Sequence, residues 1–281
     1  MKKNSLILLP VLAAMLGGAQ AQTTPAPAAP AAPAVAPEPA PAPFTANVAL
    51  TSNYKFRGQD QGTLKAFSPA IQGGFDWTQN GFYLGNWNSN VSFGGSIEMD
   101  LYGGYRGEIT KDLTYDVGIL QYYYPRNGDF SPVSFDTTEI YGSLAYSFFT
   151  LKYSHTISSD YFGLGRINQD NEGLASRPKG RNTGYLDFSA NYEAVKGLTL
   201  NGHLGYTRLA SDLRDAVNTT TVGETTTTTN AYSNYLDWKA GATYDLGSGF
   251  SLAGALVGAT KKSVWGDVNK TRAIVTLSKT M

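Results

Sequence analysis

The 281 residues contain no cysteine and only two histidines. The first absence excludes a disulfide framework and thiol chemistry, and the two together leave little material for a zinc or copper site. Charge is scarce as well, at 16% of residues, with 22 basic side chains against 22 acidic ones. Nothing in that balance marks a nucleic-acid-binding surface. Past the N-terminal leader no stretch approaches the roughly 18 unbroken apolar residues of a spanning helix, which argues against a membrane protein built from helices. Glycine (31) and tyrosine (18) are abundant instead. Tyrosine favours strands and glycine favours turns, so the composition points to an all-β protein.

The clearest signal lies in residues 97–109, read together with 113–124. Ile97, Met99, Leu101, Gly103, Tyr105, Gly107 and Ile109 alternate with Glu98, Asp100, Tyr102, Gly104, Arg106 and Glu108. Successive strand residues point to opposite faces, so one face is uncharged and the other carries four charges. The second segment repeats the sorting, with Leu113, Tyr115, Val117, Ile119 and Tyr123 on the apolar side and Gln121 as the one intruder. Thirteen residues is long for a globular strand and suits a tilted crossing of an outer membrane, which takes about 9–11 residues. A three-residue loop at Thr110-Lys111-Asp112 would pair Ile109 with Leu113 and set Arg106 opposite Asp116, predicting an ion pair between them inside, whereas a five-residue loop from Thr110 to Thr114 would set Arg106 opposite Gly118.

Three regions follow from composition. Residues 1–21 read as a cleavable secretory signal: Lys2 and Lys3, an apolar run from Leu6 to Leu16, then Ala19-Gln20-Ala21. Residues 22–43 are nearly all Ala, Pro and Thr, an extended periplasmic linker that cannot bury a core. Residues 44–281 hold twelve amphipathic segments, at 44–57, 66–77, 82–93, 97–109, 113–124, 136–148, 151–158, 184–193, 198–208, 234–245, 250–260 and 270–281. Short joins alternate with long ones, the short ones at 79–81, 110–112, 149–150, 194–197 and 247–249, and only Gly94 to Ser96 breaks the alternation. Tight turns at one end and long loops at the other predict a transmembrane antiparallel up-and-down β-barrel of about twelve strands. It would lie in the bacterial outer membrane with both termini periplasmic. Tyr83, Trp87, Val91 and Phe93 are assigned to the lipid face, as are Leu236, Trp238, Ala240, Ala242, Tyr244 and Leu246. Asp136, Arg208 and Lys279 break the apolar parity near strand ends, where charge costs least.

The last segment places Ala273, Val275, Leu277 and Met281 on one face, similar to the C-terminal signal read by the barrel-assembly machinery, although that signal usually ends in Phe. At Asn53-Tyr54-Lys55-Phe56-Arg57-Gly58, Pro69-Ala70-Ile71-Gln72-Gly73-Gly74-Phe75, Gly81-Phe82-Tyr83, Ser158-Ser159-Asp160-Tyr161-Phe162-Gly163 and Ser278-Lys279-Thr280 the chain resembles the TorF porin family. The resemblance implies an outer-membrane channel with no family catalytic residue and no settled substrate.

By parity the lumen holds Lys55, Arg57, Arg106, Lys152, Lys239 and Arg272 against Asp76, Glu98, Asp100, Glu108, Asp116, Glu139, Asp187, Glu193, Asp237 and Asp245. Six basic against ten acidic side chains predict a pore for small solutes or ions with mild cation preference and no cofactor. Tyr102, Tyr122, Tyr124 and Tyr141 would narrow it, and a plugged, non-conducting barrel is the main alternative. An outer-membrane lipase would use His155 on the apolar face, yet no orienting acid or amide is placed beside it, so no enzyme is expected. His203 faces inward. Asn168 to Gly173 resembles the opening of a calcium loop, but Lys179 stands where the bidentate Glu belongs, so a solvated loop is expected. The Thr-rich stretch 210–233 and the basic loop 159–183, with Arg166, Arg177, Lys179 and Arg181, are candidates to meet lipopolysaccharide or to fold into the pore.

Overall fold

A computed structural model describes residues 43–93, 96–125, 133–222 and 224–281. The leader, the linker up to residue 42, and parts of the joins at 94–95 and 126–132 lie outside the described residues. Twelve strands close into one antiparallel barrel. They are β1 (Phe44–Thr51), β2 (Ala70–Gln79), β3 (Phe82–Asn90), β4 (Ile97–Thr110), β5 (Leu113–Tyr123), β6 (Thr137–Tyr146), β7 (Phe149–Thr156), β8 (Gly184–Val195), β9 (Leu198–Arg208), β10 (Tyr235–Gly247), β11 (Phe250–Ala259) and β12 (Arg272–Thr280). Each pairs with its sequence neighbours, and β1 closes on β12 from Asn47 opposite Thr280 to Thr51 opposite Thr276.

The two-residue period explains the shape. Outward residues such as Leu50, Leu101, Ile119, Leu144, Leu186, Leu204, Leu236 and Leu277 are exposed, while their strand neighbours point inside and are buried or half-buried. A belt of exposed leucine and isoleucine around a buried polar interior inverts a soluble protein and fits hydrocarbon outside. Lys279, the charge on the last outward face, folds its Nζ over the Phe250 ring, 4.4 Å from the centroid, and onto the Ser248 carbonyl at the turn.

The turns correct several expectations. Arg106 does stand opposite Asp116, but the turn is Lys111-Asp112, Thr110 pairs with Leu113, and the extra residue is absorbed as a bulge at Ile109. The join expected at Phe149-Thr150 falls at Ser147-Phe148, so β7 begins at Phe149. Asn80-Gly81 and Ser248-Gly249 turn with both φ values positive, the hairpin geometry that matches strand twist.

One parity is reversed. Tyr83, Trp87 and Val91, expected on the lipid face, point inward and are 5%, 2% and 5% exposed. Register requires it, because Trp87 pairs with Asp100, an inward residue. The outward places belong to Asn86, Asn88 and Asn90, whose amides bond the β2 backbone: Phe75 N–H donates to Asn86 (3.2 Å), Asn88 donates to the Gly73 carbonyl (3.1 Å), and Ile71 N–H donates to Asn90 (2.7 Å). An amide that satisfies itself on the neighbouring strand costs far less in lipid than a free one.

Two of the long loops carry secondary structure among the described residues. Leu164–Glu172 is a helix, α1, so the calcium-like stretch Asn168 to Gly173 is helical and its C-terminal glycine is a left-handed cap rather than a ligand-loop turn. The Thr-rich stretch forms a hairpin, Val217–Val222 against Thr225–Asn230.

Candidate functional site: the barrel interior

The main feature of the interior is a second, minute hairpin. After Thr51 the chain leaves the wall, and Lys55–Phe56 pair with Gln59–Asp60 around Arg57-Gly58, whose φ values are 46° and 74°. Two positive φ values make the turn tight enough to fit inside the barrel. The segment expected to extend β1 to residue 57 therefore crosses the lumen at its loop end.

The hairpin touches almost every side of the wall. Tyr54 donates to Glu98 of β4 at 2.6 Å, and Phe56 packs edge-on against Tyr122 of β5 at 5.4 Å. Arg57 makes a two-pronged bond to Glu139 of β6, Nη1 to Oε1 at 2.9 Å and Nη2 to Oε2 at 2.7 Å, and Nη1 also donates to Tyr161 at 3.0 Å. Its guanidinium lies 4.2 Å from the ring centre of Tyr185 in β8. A Cβ at Gly58 would stand 2.5 Å from that of Asp237 in β10 and 2.9 Å from that of Ala259 in β11, so only glycine fits here. Asp60 accepts from Arg272 of β12 at 2.8 Å and pairs with Lys55 at 3.3 Å, while Gln59 reaches Asn269 at 2.8 Å. Burial lowers Lys55 from the usual lysine range to about 8, with Asp60 opposing the drop.

Around this hairpin the carboxylates are held mostly by phenols. Glu98 accepts from Tyr54 and, at 2.5 Å, from Tyr124; burial first and the Glu98 charge second keep both hydroxyls well above the usual phenol range, as protonated donors. Tyr102 donates to Asp76 and Tyr83 to Asp116, each at 2.5 Å, and Tyr141 meets the Tyr83 oxygen at 2.5 Å. The expected Arg106–Asp116 ion pair does not form. Tyr83 lies between them, taking Asp116 with its hydroxyl and Arg106 on its ring face, 4.4 Å from the centroid. Glycines make room for these rings: a Cβ at Gly104 would meet the Tyr83 hydroxyl at 2.4 Å, and one at Gly118 the Tyr141 hydroxyl at 2.5 Å.

The charges assigned to the interior divide by position. Arg57, Glu98, Asp100, Asp116, Glu139, Lys152, Asp187, Asp237 and Arg272 are buried; Lys55, Asp76, Arg106 and Lys239 are half-buried; Glu108, near its turn, is exposed. Glu193 and Asp245 serve turns instead, accepting from the Gly197 and Gly247 N–H groups at 3.0 and 2.8 Å. His203 sits between Asp187 and Asp237, 2.6 Å from each. Parity reasoning missed Asp60, which only the inward turn of the hairpin brings to Arg272. Towards the short turns, inward side chains such as Thr45, Asn47, Asp76, Arg106 and Ser278 remain half-exposed, so the interior is a cup, more open there than around the hairpin.

His155 does face outward. Contrary to expectation an amide stands beside it, Asn182 Oδ1 at 3.2 Å from Nε2, with the Tyr153 hydroxyl 3.3 Å from Nδ1. Ser154 points to the opposite, inner face and is buried, so it cannot work with His155 as a nucleophile.

A family model described as a bacterial protein of unknown function, Gcw_chp, matches residues 35–281. The chain belongs to the Gcw_chp family. No curated protein matches the sequence. Among solved structures it is similar to the NanC porin, with a TM-score of 0.52 and 11% identity over 84% of this chain and 97% of that one. It is similar to the KdgM porin too, with a TM-score of 0.50 and 10% identity over 84% and 98%. At these identities the likeness establishes the fold: this Gcw_chp protein has the twelve-strand barrel of outer-membrane porins. The family description carries no TorF name, so that resemblance stands as one to porins in general.

Proposed function

We propose that this Gcw_chp protein sits in the bacterial outer membrane with both termini periplasmic and passes small solutes or ions by passive diffusion, with mild cation preference. The observation that carries this reading is a closed barrel whose apolar belt surrounds a charged interior. Such a wall serves little purpose unless two aqueous spaces are separated across it. The cup lies open among Asp76, Glu108 and Arg106, and acidic side chains outnumber basic ones on the inner wall as a whole. In this reading Lys55, Arg57, Asp76, Glu98, Asp100, Arg106, Glu108, Asp116, Glu139, Lys152, Asp187, Asp237, Lys239 and Arg272 line the route. The last strand would be read by the barrel-assembly machinery, and the outer surface would meet lipid and lipopolysaccharide.

The hairpin at 55–60 favours a second reading, a barrel that stays shut and acts as a structural or surface-binding element. Planar-bilayer recording of wild type and of a variant with Lys55 to Asp60 replaced by a short Gly-Ser link decides between them. Steps in either protein, with a reversal potential favouring potassium over chloride in a salt gradient, support the channel. Silence from both, with the barrels verified as folded, leaves the structural reading.

A further inference from the structure

We propose that the inner face around Glu139 is a binding site for a guanidinium-type cation, and that Arg57 of the hairpin occupies it in cis. The wall presents what a planar cation needs: a carboxylate with both oxygens aimed at one fork, a phenol oxygen beside it, and an aromatic face to lie against. Glu139 supplies the fork, Tyr161 the oxygen and Tyr185 the face, and Glu139 is 1% exposed. None of these three residues belongs to the hairpin. They come from β6, the β7–β8 loop and β8, so the receptor is built by the barrel and the hairpin is its ligand.

The fit of that ligand is imperfect. The Nε–H of Arg57 is buried with no acceptor. A free alkylguanidinium carries the same planar fork without the tether of the turn, and can set it on the same oxygens and against the same ring. A solute bearing that group therefore competes with Arg57, and displacing Arg57 unlatches the hairpin from the β6 side. The competition step rests on the channel reading; the binding site does not.

The test uses full-length protein refolded in detergent, with propylguanidinium chloride as probe and propylammonium chloride as control. Calorimetry is expected to show Arg57→Ala binding the guanidinium at least about tenfold more tightly than wild type, and the Arg57→Ala/Glu139→Gln protein losing that gain. Folded Arg57→Ala that binds neither probe, binds both equally, or binds as well without Glu139 overturns the site. Should Arg57→Ala fail to fold, Arg57→Lys keeps a cation without the fork, and a guanidinium affinity no better than wild type overturns the site equally. In bilayers, wild-type conductance is expected to rise with propylguanidinium and not with propylammonium. A conducting wild type indifferent to both overturns the competition, whereas a variant that binds the guanidinium in a barrel that never conducts overturns the channel reading and leaves the site standing.

Discussion

Phenols suit a barrel interior for a reason of charge. Partnering each buried carboxylate with arginine brings in a second ion to desolvate, whereas a tyrosine offers a strong neutral donor on an apolar body. Tyr83 shows the device most fully, holding Asp116, receiving Tyr141 and stacking under Arg106. Tyr83→Phe keeps the ring and removes the donor, so Asp116 loses its bond; we expect a loss of about 1–3 kcal/mol in urea unfolding from lipid vesicles. Breaking the Arg57 fork is costlier. Glu139→Ala strands a buried guanidinium, and the expected loss in the same assay is about 3–5 kcal/mol. Lys55 gives a signature in pH. Its folded value of about 8 lies below the unfolded 10.5, so the unfolded chain binds the extra proton between those values and stability rises with pH there. The unfolding midpoint of wild type relative to Lys55→Gln is expected to climb between pH 7 and pH 10, and a flat difference refutes the burial of that amine.

For the strands themselves, alternation was legible wherever the two faces differ sharply in chemistry. Residues 97–109 could be assigned to faces by inspection because Glu98, Asp100, Arg106 and Glu108 share one parity. β3 has no charge to anchor it. From Asn86 to Asn90 its inner face carries Trp87 and its outer face three amides, so hydropathy there reverses it; the information lies in the register with Asp100 and in backbone bonds that no single strand reveals. The Lys55–Asp60 hairpin was hidden differently. Lys55 and Arg57 continue the inward parity of β1, so a strand and an inward turn read alike, and only Arg57-Gly58 between two charged arms hints at the reversal. Tryptophan gives a direct check of β3. In vesicles of brominated lipid, protein retaining Trp238 as its only tryptophan should be quenched strongly and protein retaining only Trp87 several-fold less. Equal quenching returns β3 to the opposite parity.

At the scale of the whole molecule, the porin fold was readable from rhythm and loop lengths, while the state of its lumen was not. Whether a barrel is hollow depends on what its first loop does after leaving the wall, and here that is decided by contacts at long range, from Tyr54 to Glu98 and from Asp60 to Arg272. The latter bond ties a residue of the first loop to one that opens the last strand. The strand that completes the cylinder also holds the hairpin, so Arg272 couples sealing the perimeter to filling the centre. A hairpin already seated when the two ends meet gives the closing strand a second partner in Asp60. Arg272→Ala chains are therefore expected to linger as protease-sensitive intermediates in a refolding time course, with the finished barrel little changed. In this protein the arginine that opens the closing strand also seats the stopper.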